Sequence, residues 1–241
     1  MTITEPTSFT GQTGVTPFAA VTLDLYRDIH KGIRAELFGV TGATGRLDPA
    51  DRGARVGTAA DVDRIVDMLI SHAGHEDAVV QPEIVKHLPD LGARIETDHA
   101  ALEARMDGLR ELAGAAADAS RADARHAIHQ LYIELASFTS DYLAHQDVEE
   151  RVVMPALEAA VGFEVVLDLH QAIIGSIPPA EMAQGLATML PAMNIDDRAD
   201  LLGGMRAGAP SEVFAGVWGL AQSVLMSADS SALAARLGLS V

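Results

Sequence analysis

Apolar residues recur along this chain at three- and four-residue steps, with polar residues filling the gaps. That period puts the apolar positions on one face of a helix. Leu23, Tyr26, Ile33 and Leu37 set it first and predict a helix from about Pro17 to Phe38. The stretch GVTGATGRLDPADRGARVG breaks the pattern with glycine, proline and charge, and reads as a long loop. Val62, Ile65, Met68 and Leu69 restore it in a second helix, from about Thr58 to His87. LPD ends that helix, and Asp90 stands where it would cap a third, reaching about Ala117. DASRAD turns the chain, and a fourth helix extends to about Val161. Pro82 and Pro155 fall inside the second and fourth helices. Each removes one backbone donor, so each should bend its helix or end its regular part.

Four amphipathic helices joined mostly by short turns predict an all-α fold, an antiparallel up-down four-helix bundle over residues 17–161. No segment alternates like a strand with hairpin chemistry at its end. Residues 1–16 are rich in Thr, Gly and Pro and read as a flexible N-terminal segment. From Gly162 the texture changes. Residues 162–241 hold four or five shorter helical patterns, opened by SIPPAE, NIDDRAD, GAPSEVF and SADSSAL. These carry start signals: Ser or Asn at the cap, Pro in the first turn, early acids. The expectation is a C-terminal helical extension that packs on the bundle or joins two copies as a homodimer.

Composition narrows the chemistry. The formal charge is −17, which argues against nucleic acid and anionic membrane as partners. There is no Cys, so disulfides, thiolate zinc sites, iron–sulfur clusters and cysteine catalysis are excluded. Any metal chemistry must use His and carboxylates. MTITEPTSFTGQTG has neither the basic nor the apolar region of a secretory signal, and no apolar run approaches the roughly 18 residues of a membrane span. The protein is therefore expected to be cytoplasmic, and its preference for Arg over Lys fits a GC-rich bacterial genome.

One phrase is written twice. HAGHEDAVVQPEI, residues 72–84, and HQDVEERVVMPAL, residues 145–157, both read His, three residues, Glu, an acid, one residue, Val-Val, one residue, Pro. A single His precedes each: His30 lies 42 residues before His72, and His99 lies 46 before His145. Residues four apart on a helix share a face. Folded as a bundle, four helices would each supply an imidazole, from His30, His72, His99 and His145, and two would add a carboxylate, from Glu76 and Glu149. Two metal ions, each with two His and both bridged by two Glu, would have four protein ligands apiece. Imidazole with carboxylate suits iron, manganese or zinc, and the absence of thiolate favours an oxygen-reactive iron pair. Glu103, four residues after His99, could add a third carboxylate. The acid at +5 competes with that at +4 in both phrases; +4 is preferred, because it leaves an offset of only about 40° around the helix.

This arrangement resembles the hemerythrin-like (HHE cation-binding) family over about residues 17–160, with EERVVMPAL its most family-like phrase. The resemblance implies a four-helix bundle around a non-haem di-iron centre with an oxo or hydroxo bridge, meeting O₂, peroxide or nitric oxide. Oxygen-carrying members place a second His four residues after the third-helix His; Glu103 stands there in this chain, which points away from simple O₂ carriage. Further candidates, as ligands or as outer partners, are His75, Tyr26 and Tyr142, although both tyrosines read first as core packing. Any turnover would be redox chemistry at iron rather than hydrolysis. The alternative is a regulatory protein in which iron or redox state controls folding or partner binding.

Overall fold

The structure is a computed structural model that describes residues 19–239. The expectations for residues 1–16 and for a helix start at Pro17 lie outside the described residues. Among the described residues every regular element is a helix. The four long ones are α1 (Arg27–Gly45), α2 (Arg52–Val79), α4 (Pro89–Asp118) and α5 (Ala124–Val148), and the short α3 (Gln81–His87) links α2 to α4. A five-residue π-helical turn, Glu149–Val153, joins α5 to α6 (Met154–Val161). The extension is α7 (Phe163–Ser176), α8 (Pro179–Ala192), α9 (Ile195–Gly208), α10 (Ser211–Val224) and α11 (Ser227–Leu237).

Each long helix packs on the next, and α5 returns to α1, closing a four-helix bundle. The main core joins Ile33 and Leu37 of α1, Val62 to Leu69 of α2, Leu102 to Ala116 of α4 and Ile128 to Tyr142 of α5. A second core, with Val80, Ile84, Ile95, Val153, Leu157 and Leu169, closes the other end. Along α2 and α5 the chain leaves the first core for the second; along α4 it runs the other way. Neighbouring helices therefore run in opposite senses.

The helix ends differ from the sequence reading in instructive ways. Leu23 precedes α1 rather than lying in it, because the Asp24 carboxylate accepts from the Tyr26 and Arg27 backbone N–H groups and starts the helix there. The expected long loop is mostly helix: Val40 and Thr44 continue the buried stripe of α1, and Asp51 caps α2 by accepting from Ala54 N. Asp90 lies in the first turn of α4, makes no cap bond, and follows Leu88 at the cap position. Pro82 and Pro155 each open a new helix, so both end the regular part of the helix before them. Among the described helices of the extension only Asn194 caps with its side chain; Gly162, Pro178, Pro210 and Met226 hold the other N-cap positions. Gly162, with φ +82°, makes the corner into α7 in a conformation that a side chain would strain.

Arg55 is the least expected core residue. It is 5 % exposed and donates to Ala116 O at 2.7 Å and Ala119 O at 2.9 Å, satisfying carbonyls at the end of α4. Arg55→Met should leave those carbonyls unpaired and lower stability by about 1–3 kcal/mol, read by denaturant melts. The extension is bound closely to the bundle. A Cβ on Gly32 of α1 would sit 3.1 Å from Thr188 Cγ2 and 3.3 Å from Met189 Cα, so α8 approaches α1 nearly at backbone contact.

Candidate metal centre

Between the two apolar cores lies a polar layer. His30 continues the stripe of Ile33 and Leu37; Glu76 follows Leu69 and Ala73; His99 stands between Ile95 and Leu102; His145 and Glu149 follow Phe138 and Tyr142. Each is a core position of its helix, so packing that would bury a leucine buries an imidazole or a carboxylate instead. His30 is 0 %, His99 6 %, His145 5 %, Glu76 7 % and Glu149 1 % exposed. His72 is partly buried.

The six residues form two triads, His30–His72–Glu76 and His99–His145–Glu149, and within each triad one ligand atom per residue lies within 4.8 Å of the others. The carboxylates reach across both. Glu76 Oε1 is 3.1 Å from His72 Nε2 and 4.0 Å from His30 Nε2, while its Oε2 is 3.7 Å from His99 Nε2. Glu149 Oε1 is 3.2 Å from His145 Nε2 and 3.9 Å from His99 Nε2, while its Oε2 is 3.5 Å from His30 Nε2. Each carboxylate thus turns one oxygen to each His pair. Both oxygens of Glu76, Oε2 of Glu149, and Nε2 of His30 and His99 are buried without a hydrogen-bond partner. Such groups are costly unless a cation joins them, and the donor set, four imidazole nitrogens with two carboxylates, fits one.

The electrostatics split the two acids. Burial, then the Glu149 and Asp77 charges, pushes the Glu76 carboxyl well above its ordinary range. Burial works the same way on Glu149, but contacts with His145 and His99 outweigh it and hold that carboxyl low. Burial, reinforced by repulsion from His30, pushes His72 down to about 3, so its ring is neutral. Burial opposes protonation of His99, yet Glu149 and Asp77 raise its pKa on balance.

The remaining candidates fall outside the triads. Glu103 is a correction: it is exposed, because the buried stripe of α4 continues from His99 at +3, with Leu102, and +4 turns to solvent. His75 also points away, its Nε2 2.7 Å from Glu181 Oε1 and its Nδ1 3.2 Å from Ser176 Oγ. Tyr26 stacks on His30 at 5.2 Å and Tyr142 meets His145 edge-on at 5.9 Å. Burial and the two carboxylates raise both phenols well above their ordinary pKa, so both tyrosines are protonated walls of the site. Of the apolar side chains near these residues in sequence, Leu69 and Val153 are fully buried, whereas Val152 is 38 % exposed.

Two acids that follow the ligand positions are also engaged. Glu150 Oε1 lies 3.0 Å from His30 Nδ1, within hydrogen-bond distance, and Arg34 donates to Glu150 with Nη1 at 2.8 Å and Nη2 at 3.0 Å. Asp77 Oδ1 lies 2.9 Å from His99 Nδ1, also within hydrogen-bond distance. Asp98 is 3.8 Å from His145 Nδ1. The signal was the doubled acid in both copies of the phrase; the missing element was the π turn starting at Glu149, a widening common at functional sites.

A family model, the hemerythrin HHE cation-binding domain, matches residues 21–157. The chain belongs to that family. Searches of curated proteins and of solved structures return no match. The hemerythrin match runs from before α1 into the first half of α6 and contains all six residues of the two triads, whereas α7 to α11 lie beyond it. Among the described residues no helix is long and apolar enough to cross a membrane.

Proposed function

We propose that this hemerythrin-family chain is a non-haem di-iron protein that binds or reacts with a small oxygen species: O₂, peroxide or nitric oxide. The observation that carries the reading is the sharing of the carboxylates, each with one oxygen toward each His pair. His30 with His72 would hold one ion, His99 with His145 the other, and Glu76 and Glu149 would span them. When bound, an iron pair supplies reversible electron exchange and an open position for a small ligand. The chain's own part is to fix and dry that position. Apolar cores above and below exclude water, and the rings of Tyr26 and Tyr142 wall the imidazoles. A surface crevice of about 290 Å³ is lined by Arg94, Asp98, Arg105, Asp141 and His145.

The test is to load the protein with ferrous iron without oxygen, admit air, and measure bound metal and spectrum. Two irons per chain with the absorption of a coupled ferric pair are expected, and His72→Ala should reduce both. One iron per chain with a mononuclear spectrum would end the di-iron reading.

A second reading, a sensor, is favoured by how the extension grips the ligand helices. Glu181 of α8 bonds Ser71 and His75, which flank His72, and Asp197 of α9 pairs with Lys31, next to His30. Repeated rapid peroxide consumption by the reduced protein supports the reactive centre. Negligible turnover with a large loss of helix on chelation supports the sensor.

A further inference from the structure

Both copies of the repeated phrase carry an acid directly after the Glu, and the centre described above uses only the first acid of each. We propose that the second acids, Asp77 and Glu150, are positioning residues that work crosswise: each orients the lone His of the opposite triad. Asp77 follows Glu76 of the first triad but bonds His99 of the second; Glu150 follows Glu149 of the second but bonds His30 of the first.

The need for such partners is visible in the layer. His72 and His145 are each held by the Glu four residues on, at 3.1 and 3.2 Å. Arg34 stands four residues after His30, and Glu103, four after His99, turns to solvent; the Nε2 atoms of His30 and His99 lack a hydrogen-bond partner. A neutral imidazole carries one N–H and one lone pair, and an ionised carboxylate only accepts. An acid on Nδ1 therefore takes the N–H and leaves the lone pair on Nε2, where a cation ligand must have it. Inner and outer carboxylates compete for that proton, and distance decides. The outer contacts are 3.0 Å for His30 and 2.9 Å for His99, whereas the inner ones run from 3.5 to 4.0 Å. The two clamps differ in strength. Arg34 holds Glu150 with both terminal nitrogens, and the Glu150 side chain is 19 % exposed. The Asp77 side chain is 47 % exposed, so water competes for its oxygens. Losing Glu150 should cost more than losing Asp77.

The effect on cation affinity rests on the proposed metal centre; the tautomer assignment does not. The experiment reads both. Long-range ¹H–¹⁵N correlation on metal-free, ¹⁵N-histidine-labelled full-length protein at mildly alkaline pH should show His30 and His99 protonated on Nδ1. Asp77→Ala should move the proton of His99 to Nε2 and leave the ring of His72 unchanged; Glu150→Ala should do so to His30 and leave His145. Asp77→Asn keeps a carbonyl acceptor and should keep the proton of His99 on Nδ1, whereas Asp77→Leu, which keeps side-chain bulk without an acceptor, should move it as Asp77→Ala does. Titration with zinc, a diamagnetic probe, should show each Ala variant weakened by roughly 10- to 100-fold, with Asp77→Asn in between. Wild-type His30 and His99 protonated on Nε2, or unmoved tautomers in the Ala variants, would overturn the assignment even if zinc binds. Tautomers that follow the acids in a protein that takes up no cation would uphold the assignment and overturn the metal centre.

Discussion

A Glu76→Gln variant should melt no lower than the parent when metal is absent, and should lose most of the stabilisation that metal gives. Glu76 is buried with both oxygens unpaired, beside an ionised Glu149. Ionising it in the folded protein places two carboxylate charges together in a dry layer, so the folded state retains the proton. Glutamine has the shape of that protonated acid, and its amide offers donors to the oxygens around it. The metal-free protein therefore loses nothing on substitution and is spared the proton uptake that folding imposes on Glu76 near neutrality. Metal binding reverses the sign, because an amide is a poor cation ligand and the span between the His pairs is broken. Ligand at a thousand times its dissociation constant adds about 4 kcal/mol, worth roughly 10 °C in a chain of this size. That rise should nearly vanish.

The chemically identical change at the other carboxylate should do the opposite without metal. Glu149 is ionised and contacts the imidazoles of His145 and His99, so Glu149→Gln weakens charge-assisted contacts and should destabilise the metal-free protein by about 1–3 kcal/mol. Thermal melts with chelator and with excess metal give all four values. Equal destabilisation by the two variants in chelator, or a full metal-dependent rise in Glu76→Gln, would show that the acids do not differ as their surroundings imply.

The bundle was legible because the stripe that buries a helix does not care whether it carries Leu or His. The 3–4 spacing runs through His30, His99 and His145 as smoothly as through Ile33, Leu102 and Leu135. The same stripe is what excludes Glu103, one position off it. Helix ends were read less well, since local composition competes with capping. The glycines near residues 39–45 suggested a loop, yet Val40 and Thr44 had burial to gain and Asp51 was ready to start α2. Spacing along one helix also shows which face a side chain leaves from, but not which ring on another helix it meets. Hence the doubled acids were visible and their crosswise partners were not. The grip of Glu181 on Ser71 and His75 joins residues more than a hundred positions apart, and no local pattern announces it.

Acidification should drive metal out, and uptake near neutrality should release protons. The folded metal-free protein carries Glu76 protonated well above the ordinary carboxyl value of 4.5, and His99 holds a proton more readily than the ordinary 6.5. A cation needs both as bare ligands, so it must displace what they carry. His72, pushed down to about 3, is already neutral and contributes no proton. Apparent affinity should therefore rise with pH until Glu76 and His99 are bare. Stability without metal has opposing parts, of which His72 and Glu76 show the two signs between about pH 4.5 and 6.5. The unfolded chain protonates His72 below 6.5 while the folded one refuses until about 3, so that contribution is lost as pH falls through this window. Glu76 acts in reverse, because the folded state holds its proton more tightly than the unfolded one, and its contribution grows as pH falls toward 4.5. Between about pH 4.5 and 6.5 the metal-free protein should consequently show a shallow pH dependence and the metal-loaded one a steep loss on acidification. Calorimetry of zinc binding in two buffers of different ionisation enthalpy gives the proton count directly. At least one proton per chain is expected near neutrality. A count of zero would mean that Glu76 is already ionised, and the account of the two unequal carboxylates would fall with it.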